Sequence, residues 1–475
     1  MARKPRNIII YSDGTGQRGG VSFDERRSNI YKLYRATRCG PDSAIDPAEQ
    51  AAFYDAGIGT TPPGAGFFSA VWNKIYNTIS QALGLGLTGN IIDCYAALVR
   101  LWHPGDRIFL IGFSRGAYTV RCVGGVLAQC GLPTRMADGS GLKRDMATSK
   151  RIAKEAVKKV YQHTHSWKDD EKTTSRERQL LAQRKELAQR FREKYGSANA
   201  DGEQNAPPYF IGVFDTVASL ANKSVAAALV VGGVVLIAGI SGLVAWLWPY
   251  GQPFERFWYS FLPLTACVVI GPLLWNLGTR FRSEAGLENG RRWLPFHFNE
   301  WRMRFYDMDL NPRVSYARHA ISIDEARGSF PRVGWGTRGV KKPRDEQGRI
   351  WFEQYWFAGC HSDIGGSYAE DESRLSDVAL KWMLDAASSV GLKHDPSVLK
   401  LYPDPAGMQH DETRSWVFRF AAKAPRDIDA KAPLHPSVID RMKLAEVQQY
   451  DVAGPYRPEK LRGHSIAGEF FKSAV

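Results

Sequence analysis

The chain has 475 residues, enough for one large core with insertions or for two domains, and its hydrophobic fraction of 44% is ordinary for a globular protein. The formal net charge of +14 favours an anionic partner, either nucleic acid or a membrane surface, without choosing between them. Six scattered cysteines argue against a disulfide framework and a zinc site and favour a reducing compartment. No apolar stretch of signal-peptide length precedes the first strand-like run, which favours a cytoplasmic start.

Short runs rich in β-branched and aromatic residues recur along the chain, with helix-like stretches between several of them. Each run ends in a turn that contains Gly or Asp. This alternation predicts an α/β fold with a mostly parallel sheet and helices on both faces. Functional groups of such sheets gather at the carboxyl ends of strands, so the chemistry is expected in these turns. The predicted strands are Asn7–Tyr11, Ala51–Asp55, Arg107–Gly112, Tyr209–Phe214 and Ile350–Phe357.

Two places are expected to supply donors for an anionic oxygen. One is the turn after the first strand, Asp13-Gly14-Thr15-Gly16, with Gly14 or Thr15 as donor. The other is the amide of Arg115, in the turn after the third strand. The alternative for the first turn is a simple Asx-type turn. Neither turn is a phosphate-binding loop or a dinucleotide fingerprint, so we expect no cofactor and no metal.

A serine stands at the centre of Gly112-Phe113-Ser114-Arg115-Gly116, directly after a predicted strand and before a helix-like segment. Small residues around the serine allow the sharp turn from strand to helix that makes its hydroxyl project. The pattern predicts a nucleophile elbow with Ser114 as nucleophile. The alternative is a tight turn whose glycines serve packing alone.

The segment Lys143–Lys194 is basic, with sixteen Lys or Arg against eight Asp or Glu. Parts of it have helical spacing with charges on most faces. One interpretation is a solvated surface helix. The other is a basic helical cap that lies over the active site or against anionic head groups.

A catalytic serine needs a base to take its proton and a carboxylate to orient that base. Asp215 follows the fourth predicted strand, and His361 opens a glycine-rich loop after the last one. The order Ser, Asp, His along the chain is that of the α/β-hydrolases. Asp363 is the rival carboxylate, and a surface or core histidine is the alternative for His361. The sequence therefore predicts a catalytic triad of Ser114, Asp215 and His361.

Two uncharged stretches, Val225–Trp248 and Trp258–Leu277, lie between the acid and the base. Each is long enough for a helix across a hydrocarbon core of about 30 Å. Basic flanks and a turn with little charge place the flanks on the cytoplasmic side. The stretches predict a two-helix transmembrane hairpin in the inner membrane; the alternative is a pair of helices in a soluble core or an oligomer interface. The aromatic residues at the turn are Trp246, Trp248, Tyr250, Trp258 and Tyr259.

The predicted organisation has six parts. The hydrolase domain is divided into an N-terminal half with the elbow, a strand with the acid, and a C-terminal half with the histidine. A basic insertion, the hairpin and a C-terminal extension complete the chain. In chain order these parts are 1–137 with the elbow, 138–206 basic insertion, 207–222 with the acid, 223–282 hairpin (helices 225–248 and 258–277), 283–423 with the histidine, and 424–475 extension.

Five stretches together resemble the catalytic domain of the type VI secretion phospholipase effectors, a bacterial α/β-hydrolase family that cleaves glycerophospholipid esters. The resemblance spans roughly Asn7 to Tyr368. It implies Ser114 as nucleophile, Asp215 as acid and His361 as base. The matching stretches are 11–16 (YSDGTG), 54–60 (YDAGIGT), 112–117 (GFSRGA), 212–217 (GVFDTV) and 359–366 (GCHSDIGG).

These features predict a membrane-anchored phospholipase or lipase that works through an acyl-enzyme, with membrane phospholipids as its partner. A hairpin between acid and base is compatible with a resident membrane enzyme whose active site faces the cytoplasm, or with a secreted effector that has a secretion or immunity partner. The alternatives are a tethered esterase or thioesterase for a soluble substrate and a hydrolase-like module that binds without turnover. Nucleic-acid binding is not expected, because the basic residues form no reading motif with interleaved aromatics.

Overall fold

The computed structural model describes most of the chain, and every structural statement below concerns the described residues. Side chains of the first long apolar helix are described from Val231 onward. The described residues are 3–14, 26–57, 86–165, 173–217, 223–248, 250–266, 271–291, 293–299, 308–328, 330–336, 344–414 and 423–474.

A six-stranded sheet in the order β2-β1-β3-β4-β7-β8 forms the centre of the fold, and every neighbouring pair of its strands is parallel. This confirms the predicted mostly parallel α/β fold. The five predicted strands are all present, and a sixth joins them. The strands of this sheet are β1 (Asn7–Ser12), β2 (Gln50–Asp55), β3 (Arg107–Phe113), β4 (Pro208–Phe214), β7 (Tyr316–Ser322) and β8 (Phe352–Phe357).

The sixth strand, β7, is fully buried although it carries the polar residues Arg318, His319 and Ser322. Arg318 forms an ion pair of 2.8 Å with Glu353 of β8, and the His319 Nδ1 atom lies 2.9 Å from Gln354 Oε1. Burial lowers the pKa of His319 to about 3. These polar side chains interrupt the apolar run by which a strand is predicted from sequence. The sequence analysis therefore did not predict β7.

Helices cover both faces of the sheet. One face holds α1 and α10, whose apolar side chains share a core cluster with Phe109 and Phe214. The other face holds α2 and α3, in a separate cluster with Leu110 and Val213. The helices are α1 (Asn29–Thr37), α2 (Leu87–Leu101), α3 (Arg115–Cys130), α4 (Met146–Lys154), α5 (Ser175–Tyr195), α6 (Lys223–Leu247), α7 (Pro253–Thr265), α8 (Gly271–Arg280), α9 (His361–Gly365), α10 (Arg374–Ser389) and α11 (Pro436–Lys443).

The basic segment builds α4, a π-helical turn and α5. A capping box of Thr174 and Glu177 starts α5, and Gly196 in a left-handed conformation ends it. Apolar side chains such as Ile152 and Phe191 enter the core cluster of α2 and α3. The segment is therefore more than a solvated surface helix, because it forms an outer layer on one face of the sheet.

The C-terminal segment, residues 423–474, packs against the edge strand β8. The Trp356 amide donates to Pro433 O and the His435 amide donates back to Trp356 O, both at 2.9 Å. Trp356 also shares a third apolar cluster with Val438 of α11 and with Tyr456. The C-terminal segment thereby covers the edge that β8 would otherwise expose.

Two short antiparallel pairs, β5 (Phe281–Ser283) with β6 (Phe296–Phe298) and β9 (Val447–Gln449) with β10 (Val452–Gly454), complete the fold.

The helices α6 and α7 pack side by side and form an arm. On α6 the buried side chains Ile237, Ser241 and Ala245 recur every fourth residue, which places them on one stripe of the helix. The remaining apolar side chains of the arm are largely exposed, up to 80% for Trp246. The five aromatic residues predicted for the turn are among the exposed ones.

The predicted transmembrane hairpin is not supported. Within the described parts of the chain, no helix combines the length and the apolarity that crossing a membrane requires. The second predicted span overlaps α7, of 13 residues, and α8, of 10 residues. The predicted location, with two spans in the inner membrane, depended on this hairpin and is likewise not supported.

Candidate active site

The site begins at the sharp turn between β3 and α3. Ser114 has φ 58° and ψ −120°, a strained backbone conformation for a residue with a side chain, and it is 6% exposed. A Cβ atom at Gly116 would stand 1.9 Å from Ser12 O, so only glycine allows the turn to approach β1 this closely. Strand, strained serine and helix follow one another as in a nucleophile elbow.

The turn lies where the order of strands reverses. β1 has β2 on one side and β3 on the other, and their register aligns Ser12 with Gly112. The segments that leave β1 and β3 therefore start side by side at the carboxyl edge of the sheet. In open α/β sheets this reversal opens the crevice in which ligands bind.

A buried aspartate and histidine meet beside this turn. Asp215 follows β4 with φ 39°, and its Oδ2 atom lies 2.5 Å from Nδ1 of His361, the first residue of α9. The amide of Ser322 donates to Asp215 Oδ1 at 3.0 Å. The structure thus brings together the predicted acid and the predicted base.

An arginine from the C-terminal segment holds the same carboxylate. Arg426 donates from Nη1 to Asp215 Oδ1 at 2.5 Å and from Nη2 to Oδ2 at 2.9 Å. Burial by itself would raise the pKa of Asp215, but the Arg426 charge and the contact with His361 lower it well below its usual range. Asp215 is consequently a fixed anion at neutral pH.

The histidine ring lies beside the residue that precedes the serine. The His361 ring packs on the Phe113 ring, with centroids 4.7 Å apart, and Phe113 immediately precedes Ser114. Among the described residues, His361 Nε2 has no hydrogen-bond partner although it is buried. His361 Nε2 is thus not hydrogen-bonded to the Ser114 hydroxyl.

The loop after β1 lies against the elbow. A Cβ atom at Gly14 would be 3.0 Å from the Phe113 ring and 3.5 Å from Ser114 Cβ. The Gly14 amide donates to the Asp13 carboxylate at 2.7 Å, and Tyr54 donates to that same carboxylate, also at 2.7 Å. This bond joins neighbouring residues, whereas an Asx turn bonds the amide two residues on, so it does not test the Asx-turn alternative. Thr15, the other donor predicted in this loop, lies outside the described residues.

Arg115 opens α3, so its amide belongs to the first helical turn, where backbone donors point away from the helix. Burial lowers the pKa of its guanidinium to about 10. The backbone amide of Arg115, not its side chain, is the predicted oxyanion donor on the serine side of the site.

The family model for the type VI secretion phospholipase effector Tle1-like catalytic domain matches residues 6–236 and 279–386. The chain belongs to this family. The interruption at 237–278 covers most of the arm, and the match ends before the C-terminal segment. The Tle1-like domain thus includes Ser114, Asp215 and His361, and leaves out Arg426.

A relative and two solved structures are also similar to the chain. An uncharacterized protein of Saccharomyces cerevisiae is 23% identical over 450 residues, which cover 83% of this chain and 58% of that protein. An uncharacterized protein from Pseudomonas aeruginosa matches with a TM-score of 0.35 and 16% identity, over 84% of this chain and 48% of that one. A Tle1 effector bound to the VgrG spike of the type 6 secretion system matches with a TM-score of 0.28 and 16% identity, over 79% and 53%. This chain therefore spans about half to three fifths of the length of these proteins.

Asp363, the other candidate for the catalytic acid, is paired with His410. Asp363 Oδ1 lies 2.7 Å from His410 Nδ1, and its Oδ2 atom accepts the amides of Cys360 and His410. The His410 ring stacks on Tyr368 with centroids 3.5 Å apart. Asp363 therefore ties the glycine-rich loop to a later segment of the chain.

Sequence reasoning missed three residues around the triad: Glu325, His410 and Arg426. Glu325 accepts the His361 amide at 3.3 Å and is paired with Arg327 at 2.7 Å. Neither His410 nor Arg426 follows a predicted strand or belongs to a motif, so the sequence holds no signal for them. Over the described residues, no group of three or more His, Cys, Asp or Glu side chains could hold a metal ion.

Proposed function

We propose that this chain is a phospholipase that cleaves carboxylic esters of membrane lipids through an acyl-enzyme. The observation that carries the proposal is the buried Asp215–His361 pair beside the strained turn of Ser114, in a chain of the Tle1-like phospholipase family. The strain at Ser114 supports it further, because such strain persists where the surrounding structure requires it.

The geometry suggests a role for each group. His361 Nε2 takes the proton from Ser114 Oγ, which attacks the carbonyl carbon of the ester. Asp215 keeps the proton of the imidazole on Nδ1 and stabilises the imidazolium. The amide of Arg115 and one from the loop at Gly14 and Thr15 donate to the oxyanion.

Collapse of the tetrahedral intermediate breaks the bond to the leaving alcohol, which receives the proton from His361. Water then gives a proton to the same imidazole and attacks the acyl-enzyme. The products are a fatty acid, a lysophospholipid and the free serine.

The arm supports a lipid substrate. Trp246 and Tyr259 are 80% and 78% exposed, and they lie near the end of the arm together with other outward-facing apolar side chains. Monomeric soluble proteins rarely expose a large contiguous apolar surface without a binding role, and Trp and Tyr suit the boundary between lipid and water. We propose that the arm lies against the lipid surface and brings the sheet edge to its substrate.

One of the similar structures is a Tle1 effector bound to a VgrG spike. For this chain we propose a secretion partner of that kind as part of the effector interpretation. Co-purification of the tagged chain with a spike protein tests it, and a chain that never co-purifies would leave a resident enzyme as the alternative.

The deciding experiment compares the wild type and Ser114→Ala on mixed phospholipid vesicles, with the released fatty acid and lysophospholipid identified by mass spectrometry. Wild-type activity should fall by about 10³-fold or more in the variant, since the nucleophile is removed. Matching thermal unfolding of the two proteins controls for folding. A fluorophosphonate probe on Ser114 without lipid products would point to a soluble ester, and neither products nor labelling would refute the hydrolase.

A further inference from the structure

Arg426 stands out because it reaches the triad from outside the family-matched part of the chain. It is 8% exposed, and its guanidinium contacts both oxygens of Asp215. The Nη1 atom also donates to Ser322 O at 3.1 Å. Three of its contacts thus converge on the carboxylate and on the strand end that holds it.

The backbone just before Arg426 is fixed to the loop that supports the histidine. The Ala424 amide donates to Ala326 O at 2.8 Å, and Lys423 forms a β-bridge with Arg327. Arg327 in turn is paired with Glu325, which accepts the amide of His361. One segment therefore holds both the acid and the support of the base.

We propose that Arg426 is a positioning residue of the reaction, which aims Asp215 Oδ2 at His361 and offsets the charge of that carboxylate. The proposal rests on the proposed hydrolase function. A guanidinium that forks onto both oxygens fixes the plane of a carboxylate, which a single donor cannot do. Its positive charge also makes a second cation on the imidazole less favourable.

Other charged groups near His361 stay the same when Arg426 is replaced, so a difference between variants reports Arg426 alone. Asp215 and Glu325 contact His361 directly, and Asp363 lies two residues along its own helix. The rings of Phe113 and Phe330 flank the imidazole. Three further basic groups lie near the Asp215–His361 pair. His319 and Arg332 interact electrostatically with Asp215. Arg327 is paired with Glu325.

The test uses full-length Arg426→Met and Arg426→Lys, with hydrolysis of a monomeric p-nitrophenyl ester followed against pH. In Arg426→Met the acid limb of kcat/KM should move upward by about one pH unit, because the charge that opposed a protonated imidazole is gone. In Arg426→Lys the limb should stay near that of the wild type while kcat falls, since lysine keeps the charge and loses the fork. KM should change little in both.

Arg441→Met is the matched control. Arg441 is fully buried in the same segment and donates to backbone carbonyls such as Pro405 O and Gly407 O, not to the triad. Its replacement should lower stability and leave the pH profile in place. An Arg426→Met profile with the wild-type midpoint and only the kcat loss of Arg441→Met would overturn the proposal.

A wild type without Ser114-dependent hydrolysis would refute the proposed function but still leave Arg426 testable. The titration of the His361 ring is then followed by NMR of selectively ¹⁵N-labelled histidine. The Arg426→Met midpoint should lie above that of the wild type by a similar amount. Equal midpoints would reject the role of Arg426 regardless of catalysis.

Discussion

The carboxyl edge of the sheet and the helical arm depart from the usual distribution of side chains in opposite directions. At the edge, Asp215, His361 and Arg426 are titratable or charged and almost fully buried. On the arm, large apolar side chains such as Trp246 and Tyr259 face outward. A buried charge costs free energy unless it is paired, and an exposed apolar surface forgoes the gain of burial. Neither arrangement serves stability, so each indicates a function.

The two regions also differ in how their partners are supplied. The edge satisfies its charges within the chain, through strand ends and the C-terminal segment. The arm keeps only one buried stripe on α6, at Ile237, Ser241 and Ala245, and leaves the rest without a cover among the described residues. Asp215 thus has its partners within the chain, whereas most apolar side chains of the arm have no cover among the described residues.

The largest effect should come from the acid at the edge. Asp215→Asn should lower kcat on a monomeric ester by about 10⁴-fold, because the amide no longer stabilises the imidazolium or fixes its tautomer. Asp363→Asn should cost no more than about tenfold, since its partner is His410. Steady-state kinetics of both variants measure this. The reverse ranking would make Asp363 the acid and remove the edge from the comparison.

A second carboxyl of the edge, that of the half-buried Asp55, should make stability depend on pH. Burial raises the pKa of Asp55 from 3.8 to about 7, despite hydrogen bonds from Ser12 and Asn90. The folded protein therefore keeps a proton that the unfolded chain loses above pH 4. The stability from this carboxyl is full below that pH and is lost as pH rises through about 7.

Asp55→Asn should remove this part of the pH dependence. Relative to the variant, the wild type should lose up to about 4 kcal/mol of unfolding free energy between pH 4 and pH 7.5. Urea unfolding at several pH values measures it. At pH 4 the unfolding free energies of the two proteins should differ only by the effect of replacing the carboxyl with an amide. If that difference stayed the same at every pH, Asp55 would be ionised in the folded protein.

The smallest effect should come from the arm. Leu236 and Leu243 are exposed on α6. Replacing either leucine with lysine should lower the rate of vesicle lipid hydrolysis by about tenfold, because each variant removes one apolar side chain from the proposed lipid contact. Hydrolysis of a monomeric ester should not change. Met146→Lys, at an exposed apolar position of α4, is the control. Equal loss on both substrates would show that the arm serves the fold rather than the lipid.

The sequence predicted most of the sheet and the pairing of Asp215 with His361, because apolar runs and glycine turns are local signals. The strand around Arg318 and His319 was missed, since its polar groups are satisfied by Glu353 and Gln354 of a neighbouring strand. Arg426 was missed for the same reason, as its role depends on a contact across 211 positions. The uncharged stretches are helical over much of their described length, but their composition alone suggested a transmembrane hairpin that the structure does not support.

Synthesis of the chain gives the contacts of Asp215 a temporal order. Its carboxylate is translated first, and its partners Ser322, His361 and Arg426 follow 107, 146 and 211 positions later. Pairings this far apart in the chain pay a large loop-closure entropy and form late in folding. The ribosome therefore releases the elbow and Asp215 well before the arginine that contacts Asp215, and the charge cluster can close only after residue 426 has emerged.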